Sequence, residues 1–493
     1  MKFLSTRGCK PANSSAEAIT YGLASDGGLY VPERFPNLSN TLKDMLDMPY
    51  YQRAFTVISS YLEEYNSNDL LEACKNAYSL FDNLEPAPLV KIDKDKFIME
   101  LFHGPTLAFK DVALTLLPYL LRMGADICGK EQKILILVAT SGDTGKAALE
   151  GFKNKAGISI IVFYPSEGVS DMQKMQMQTQ EGNNVKVVGV KGNFDDCQNA
   201  VKRIFSNKQF NAQLLEKNVI LSSANSINFG RLVPQISYYF SAYCDLVNSG
   251  DIKLGEKINF VVPTGNFGNI LAGYYAKQMG LPINKLICAS NSNNVLTEFI
   301  CEGNYDANRE FFKTISPSMD ILISSNLERL IFELSGRDAD KTAIRMKELK
   351  ECGKYSIEQE ELLKLNQTFF ADYCEEQECL ETIYNVFEDY DYVSDTHTAV
   401  ALACANNYWQ KTNDKTLTVI LSTASPYKFS QSVLLGLKDK TVADAFKASE
   451  LLYEYTALEI PEQIKQLKNK PIRFNKVIDK SSTENAVLEF VDE

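Results

Sequence analysis

One lysine stands where a lysine is costly. In the stretch Glu100 to Leu114, ELFHGPTLAFKDVAL, Lys110 lies in an apolar run of Leu107, Ala108, Phe109 and Val112, with a histidine, a glycine and a proline just ahead of it. Desolvation disfavours an ammonium, so an amine in this setting becomes a usable nucleophile, the chemistry of a Schiff-base lysine. Gly104 and Pro105 spell a turn, which predicts that Lys110 sits near the start of a helix running towards Leu121. The competing reading is an amphipathic helix whose lysine snorkels to water.

Three further stretches carry polar groups suited to anions. PTGNFGN, Pro263 to Asn269, falls between an apolar run and a helical period, so Gly265 and Gly268 let backbone amides approach a phosphate at the positive end of a helix. A near-copy at Gly192 to Phe194 is followed by acidic residues, which repel a phosphate. ATSGDTGKAALEG, Ala139 to Gly151, departs twice from the Walker pattern, because Thr140 stands where its first glycine belongs and Ala147 follows Lys146. There Ser141, Gly142, Asp143 and Thr144 offer hydroxyl and amide donors to a carboxylate, while Asp143 is equally suited to cap the helix. ANSINFGRLVPQ supplies Arg231 as a bidentate phosphate partner, with Asn225, Ser226 and Asn228 close by in sequence. Only two histidines occur, His103 and His397, so imidazole chemistry has no other source. His397 fits a structural role, and His103 either a structural or a catalytic one.

The elements that must hold these groups follow from apolar periodicity. ILILVAT, SIIVFYP, VKVVGV and VILSSA, then INFVVPTG, KLICASN and LTVILST, read as buried parallel strands. Helical spacing between them, at Lys146 to Lys155, Ser170 to Glu181, Asp195 to Phe205 and Asn269 to Met279, makes this a βαβ pattern. The region ahead of Lys110 contains helical spacing at Tyr50 to Tyr65 and Asp69 to Leu80 and a glycine turn into a short strand at Leu29 to Val31. Between Glu302 and Asp395 the strand signal fades into a run rich in Glu and Lys, which predicts helices with solvated faces.

At 493 residues the chain is too long for one ordinary core. A net charge of -12 argues against non-specific binding to nucleic acid or to an anionic membrane. Eleven cysteines without C-x-x-C pairs suit neither a disulfide framework nor a zinc site, so no metal is expected and a reducing, cytoplasmic setting is. No apolar run approaches the roughly 18 residues of a spanning helix, and MKFLSTRG lacks a signal-peptide core.

LFHGPTLAFKD resembles the signature of the threonine synthase family, among the pyridoxal-phosphate enzymes of the tryptophan-synthase β-subunit type. The likeness runs from STRG at Ser5 to PYKF at Phe429 and includes PTGNFGN, SMDI and SNLERLIFEL. It implies an α/β protein of fold type II, with two parallel-sheet domains, the cofactor between them and an N-terminal domain beside the active site, where a lid is one role open to it. The implied boundaries are 1–90 for the N-terminal domain, 91–435 for the catalytic region with a mostly helical insertion near 303–395, and 436–493 for a C-terminal segment. It further implies pyridoxal 5'-phosphate held by Lys110, with its phosphate on Gly265, Asn266, Phe267, Gly268 and Asn269 and its ring nitrogen against the hydroxyl of Thr423. The substrate would meet Ser141, Asp143, Thr144, Asn225 and Arg231. The implied reaction turns O-phospho-L-homoserine and water into L-threonine and phosphate, the last step of threonine biosynthesis, by γ-elimination and β-addition. The expected partner is that small molecule alone, acted on by a monomer or homodimer. Two alternatives remain open: a phospho-lyase that releases 2-oxobutyrate, ammonia and phosphate, and a non-catalytic descendant that binds the cofactor. The sequence departs from the family pattern in having Thr396 before His397, where proline is usual, and Ser425 where histidine is usual.

Overall fold

The computed structural model describes residues 1–493 apart from 83, 84, 141, 167, 168 and 170; of 171, 194 and 195 it describes the backbone only. Two α/β sheets organise the chain. The larger has six strands in the order Phe369–Tyr373, Ile283–Ser290, Ile258–Pro263, Thr418–Ser422, Lys96–Glu100 and Leu89–Asp93. All neighbours are parallel except the last pair, which forms an antiparallel edge. The smaller sheet has five strands, all parallel, in the order Val477–Ile478, Val185–Val190, Ile158–Pro165, Lys133–Ala139 and Val219–Ser222. ISIIVFYP and INFVVP are buried at every position, because helices cover both faces and leave no face for polar residues.

The seven apolar runs singled out above all form strands, and four more strands complete the two sheets. Phe369–Tyr373 lies inside the region expected to be helical. FFADY is too short to signal itself between the helices Gln359–Thr368 and Glu376–Tyr390, and it becomes a strand by pairing with the exposed edge of Ile283–Ser290. Val477–Ile478 likewise comes from the C-terminal segment and covers the edge of Val185–Val190. The single helix expected from Lys110 to Leu121 is broken in two, Lys110–Leu114 and Leu117–Ile127. Pro118 has no N–H to continue the first helix and instead opens the second.

The N-terminal region is anchored, not hinged. Its helices Ser15–Tyr21, Tyr50–Ser59 and Ser67–Tyr78 share one hydrophobic core with the long helix Phe229–Asn248. Phe3 and Tyr61 set their rings edge-on to Phe229 at 4.7 and 5.5 Å. Buried Arg53 pairs with Asp245 of that helix at 2.5 Å. Swinging the whole region open as a lid would expose this core and strand the guanidinium, a cost far beyond that of moving a loop.

The helix that begins with Lys110 is positioned by a close backbone approach. A Cβ on Gly151, near the end of the helix Asp143–Phe152, would lie 2.1 Å from the carbonyl oxygen of Leu114. Gly151→Ala must therefore push two buried helices apart. The expected loss is about 1–3 kcal/mol, read as a lower urea midpoint at unchanged slope.

Candidate active site

Lys110 is placed by the turn ahead of it. Asp111, buried, accepts from the backbone N–H and hydroxyl of Thr106 at 2.8 and 2.6 Å, which folds GPT back onto the helix start. Gly104 is required there, since a Cβ on it would come within 2.5 Å of the Cβ of Asp111. The segment after the strand Thr418–Ser422 then stitches the loop from the other side. Phe109 N–H donates to the carbonyl of Thr423 at 2.9 Å, and Ser425 N–H to that of Leu107 at 3.0 Å. Leu107 is thereby held at φ +61°, a conformation costly for a side chain and stable only where the surroundings fix it.

Asp143 is the charged hub. It opens the helix Asp143–Phe152, and its Oδ2 lies 3.4 Å from Lys110 Nζ and 3.5 Å from the hydroxyl of Ser318. Its Oδ1 faces Lys428 Nζ at 3.1 Å and accepts from Gln173 Nε2 at 3.1 Å. Burial would raise the pKa of this carboxyl, but the Lys428 and Lys110 ammonium groups hold it well below the usual range. Burial lowers the pKa of Lys110; Asp143 opposes that shift, and Lys428 and Arg231 reinforce it. The carboxylate of Asp143 thus turns to the two lysines, and Thr144 beside it is half-buried. Ser141 lies outside the described residues.

The PTGNFGN loop has its carbonyls tied from behind. Ser324 donates to Gly265 O at 2.8 Å, and Asn326 gives both its backbone N–H and its Nδ2 to Asn266 O at 3.1 Å each. Phe267 sits at φ +61°, and the helix Gly268–Gln278 starts directly after it. The backbone N–H groups of Gly265 to Asn269 donate to no group among the described residues. Two tyrosine hydroxyls, Tyr238 and Tyr239, donate to Asn269 Oδ1 at 2.6 and 2.8 Å, which turns its Nδ2 outward as a buried donor without a partner. A set of open amides, an unpaired amide donor and a desolvated amine suits a phosphate ester that bears an aldehyde, as pyridoxal phosphate does.

Arg231 is buried and donates to Ala224 O at 2.6 Å, while its Nε has no partner. Burial pushes its pKa down to about 10, with Asp111 opposing the shift. Asn225 follows Ala224 in the chain, and Ser226 abuts the PTGNFGN loop, its Cβ 3.7 Å from where a Gly268 Cβ would stand. Asn228 caps the helix Phe229–Asn248 and ties to Ile19 O, a structural task.

The two histidines separate. His397 Nε2 accepts from the backbone N–H of Ser318 at 3.1 Å, so Nδ1 carries the proton donated to Asp395 at 2.8 Å. His103 faces Glu100 at 2.9 Å and stacks on Phe102. Ser425 caps the turn Pro426–Phe429 that carries Lys428. Sequence reasoning passed over two members of the site. Lys428, in PYKF, is a lysine in an apolar setting, the same signal that singled out Lys110, and its Nζ also donates to Thr106 O at 2.8 Å. Ser318, in SPSMD, gave no chemical signal; its carbonyl would lie 2.7 Å from a Gly265 Cβ and its hydroxyl lies 3.5 Å from Lys110 Nζ, so it bridges the loop and the lysine.

Family models described as threonine synthase N terminus, pyridoxal-phosphate dependent enzyme and threonine synthase C-terminal match residues 2–78, 80–363 and 398–491. The chain is 42% identical to human threonine synthase-like 1, over 92% of this chain and 63% of that protein, so it spans 63% of the length of that relative. It is 38% identical to the threonine synthase of Saccharomyces cerevisiae, over 99% of this chain and 97% of that one. Its fold superposes on the pyridoxal-phosphate-bound threonine synthase structure from Brucella melitensis with a TM-score of 0.89 at 36% identity, covering 100% of both chains.

Two outcomes follow from the charges. Lys428→Met removes a cation from beside Lys110 and frees Asp143 to hold the Lys110 proton, and both effects raise the lysine's pKa. Cofactor uptake, followed by visible absorbance, should shift to higher pH by about one unit, worth ~1.4 kcal/mol. Burial pushes the Asp111 carboxyl up to about 6, against the two donors of Thr106. The folded chain therefore keeps a proton that the unfolded chain releases near pH ~4. This contribution makes stability fall as pH rises from about 4 to about 6. Asp111→Asn should flatten that part of the denaturation-midpoint profile.

Proposed function

The chain belongs to the threonine synthase family of pyridoxal-phosphate-dependent enzymes, and on that footing we propose that it converts O-phospho-L-homoserine and water to L-threonine and phosphate. The observation that carries the proposal is the pairing of two anion sites near one desolvated amine: open amides at Gly265 to Asn269, joined to Lys110 through Ser318, and Arg231 with an unpaired Nε, whose charge also acts on Lys110. One phosphate fits a cofactor and the second a substrate.

Bound pyridoxal phosphate supplies an electron sink for negative charge at carbon next to the substrate amine. The chain's own groups do the rest. Lys110 holds the cofactor and, once released from it, carries protons between the substrate's α and β carbons, a task for which a lowered pKa fits it. Asp143, fixed by Lys428, keeps that amine oriented within 3.4 Å while sharing its negative charge between two cations. Arg231 and Asn225 hold the phosphate on the γ carbon and stabilise its charge as it leaves. The amides at Asp143 and Thr144, with Ser141, receive the substrate carboxylate. Thr423 directly follows the strand Thr418–Ser422, and its hydroxyl would face the ring nitrogen of the bound cofactor. His397 is a positioning residue that holds Ser318 beside Lys110.

Among the described residues no helix is long and apolar enough to cross a membrane. The 11 cysteines are free, which supports a reducing compartment, and we place the protein in the cytoplasm as a monomer or homodimer.

The test is incubation with O-phosphohomoserine while threonine, 2-oxobutyrate, ammonia and phosphate are measured together. Threonine should match phosphate one for one, and Lys110→Ala should abolish both, a loss of at least ~10³-fold. Oxo acid and ammonia in place of threonine would assign the chain to the phospho-lyases instead.

A further inference from the structure

Arg329, in the SNLERLIFEL stretch, is wholly buried, and no carboxylate lies within ion-pair distance of it among the described residues. Its guanidinium spends its donors on three separate segments. Nε donates to Tyr30 O at 3.0 Å, Nη1 to the side chain of Asn326, and Nη2 to Ile227 O. Two of those segments lead to the site, and the third anchors the guanidinium to the N-terminal region. Asn326 ties down Asn266 in the phosphate loop through its Nδ2 at 3.1 Å. Ile227 belongs to the turn Asn225 to Asn228, closed by the Asn228 N–H on Asn225 O, which carries Asn225 and Ser226. Tyr30 belongs to the N-terminal region, which the neighbouring Glu328 also grips through both Arg7 and Thr6.

Because a carbonyl and the following N–H point in opposite directions across a planar peptide, fixing Asn266 O behind the loop turns Phe267 N–H towards the cleft. A buried cation paired only with neutral oxygens also lends its field to anions bound nearby. We propose that Arg329 is a positioning residue that holds the two anion sites in register, so that the cofactor's phosphate and the substrate's phosphate both depend on one buried guanidinium. The part concerning the substrate rests on the function proposed above; the part concerning the cofactor does not.

The experiment compares affinity for pyridoxal 5'-phosphate with affinity for pyridoxal, which lacks the phosphate. A general loss of structure weakens both alike and leaves their ratio unchanged. Arg329→Met should lower the ratio roughly tenfold or more, and should raise the KM for O-phosphohomoserine more than it lowers kcat. Asn326→Ala keeps the guanidinium and the backbone N–H bond to Asn266 O but removes the side-chain link between them, so it should lower the ratio less than Arg329→Met does while leaving that KM within about twofold. A folded Arg329→Met protein with the wild-type ratio overturns the inference. Should that variant fail to fold, Asn326→Ala decides: a lowered ratio upholds the link, and an unchanged one overturns it. If O-phosphohomoserine is not turned over at all, the cofactor comparison stands by itself.

Discussion

Two lysines share one carboxylate. Asp143 is buried between Lys110 and Lys428, and most of the site follows from that arrangement. A lone carboxylate beside Lys110 would strengthen its hold on a proton and make it a poor nucleophile. With Lys428 drawing on the same group, Lys110 keeps an oriented partner without being locked as an ammonium. The surrounding turns serve this balance. Asp111 pulls Thr106 into place, and Thr106 O in turn receives Lys428, so the loop before the helix and the turn after the last central strand fix both lysines together.

The anion sites show a complementary economy. Neither depends on a carboxylate-paired cation; each is assembled by satisfying carbonyl groups on the far side of a loop, which leaves N–H groups or a guanidinium edge facing the cleft. The residues 324–329, far along the chain from both loops, act as the brace. This explains why a region with a weak strand signal and a strong charge pattern bears so directly on the site: its outer helices are solvated, while its leading segments, Ser316 to Asp320 and Ser324 to Arg329, run inward against Gly265 and Asn266.

The central strands were legible because burial on both faces leaves runs such as ILILVA and INFVVP with no polar alternation to confuse them. Lys110 and the PTGNFGN loop were legible because a buried amine and a glycine turn before a helix are chemically odd. Phe369–Tyr373 and Val477–Ile478 were not, since their edge pairing is decided by distant partners, Leu286 to Ser290 and Gly189 to Val190, through a few backbone bonds. Ser318 and Arg329 were illegible as members of the site for a related reason, for their roles come from backbone groups and from distant contacts that carry no local signature. GNF at Gly192 to Phe194 shows the converse: Asn193 there caps a helix through Asp196, a structural box with the letters of the phosphate loop.

Lys110 is an amine of lowered pKa held by a shared carboxylate, and the site's chemistry turns on it. Competitive labelling of the cofactor-free protein with an amine reagent, quantified peptide by peptide across pH, measures it directly. Lys110 should titrate at lower pH than the exposed lysines of the same molecule. A Lys110 that titrates with them, or above them, would contradict it.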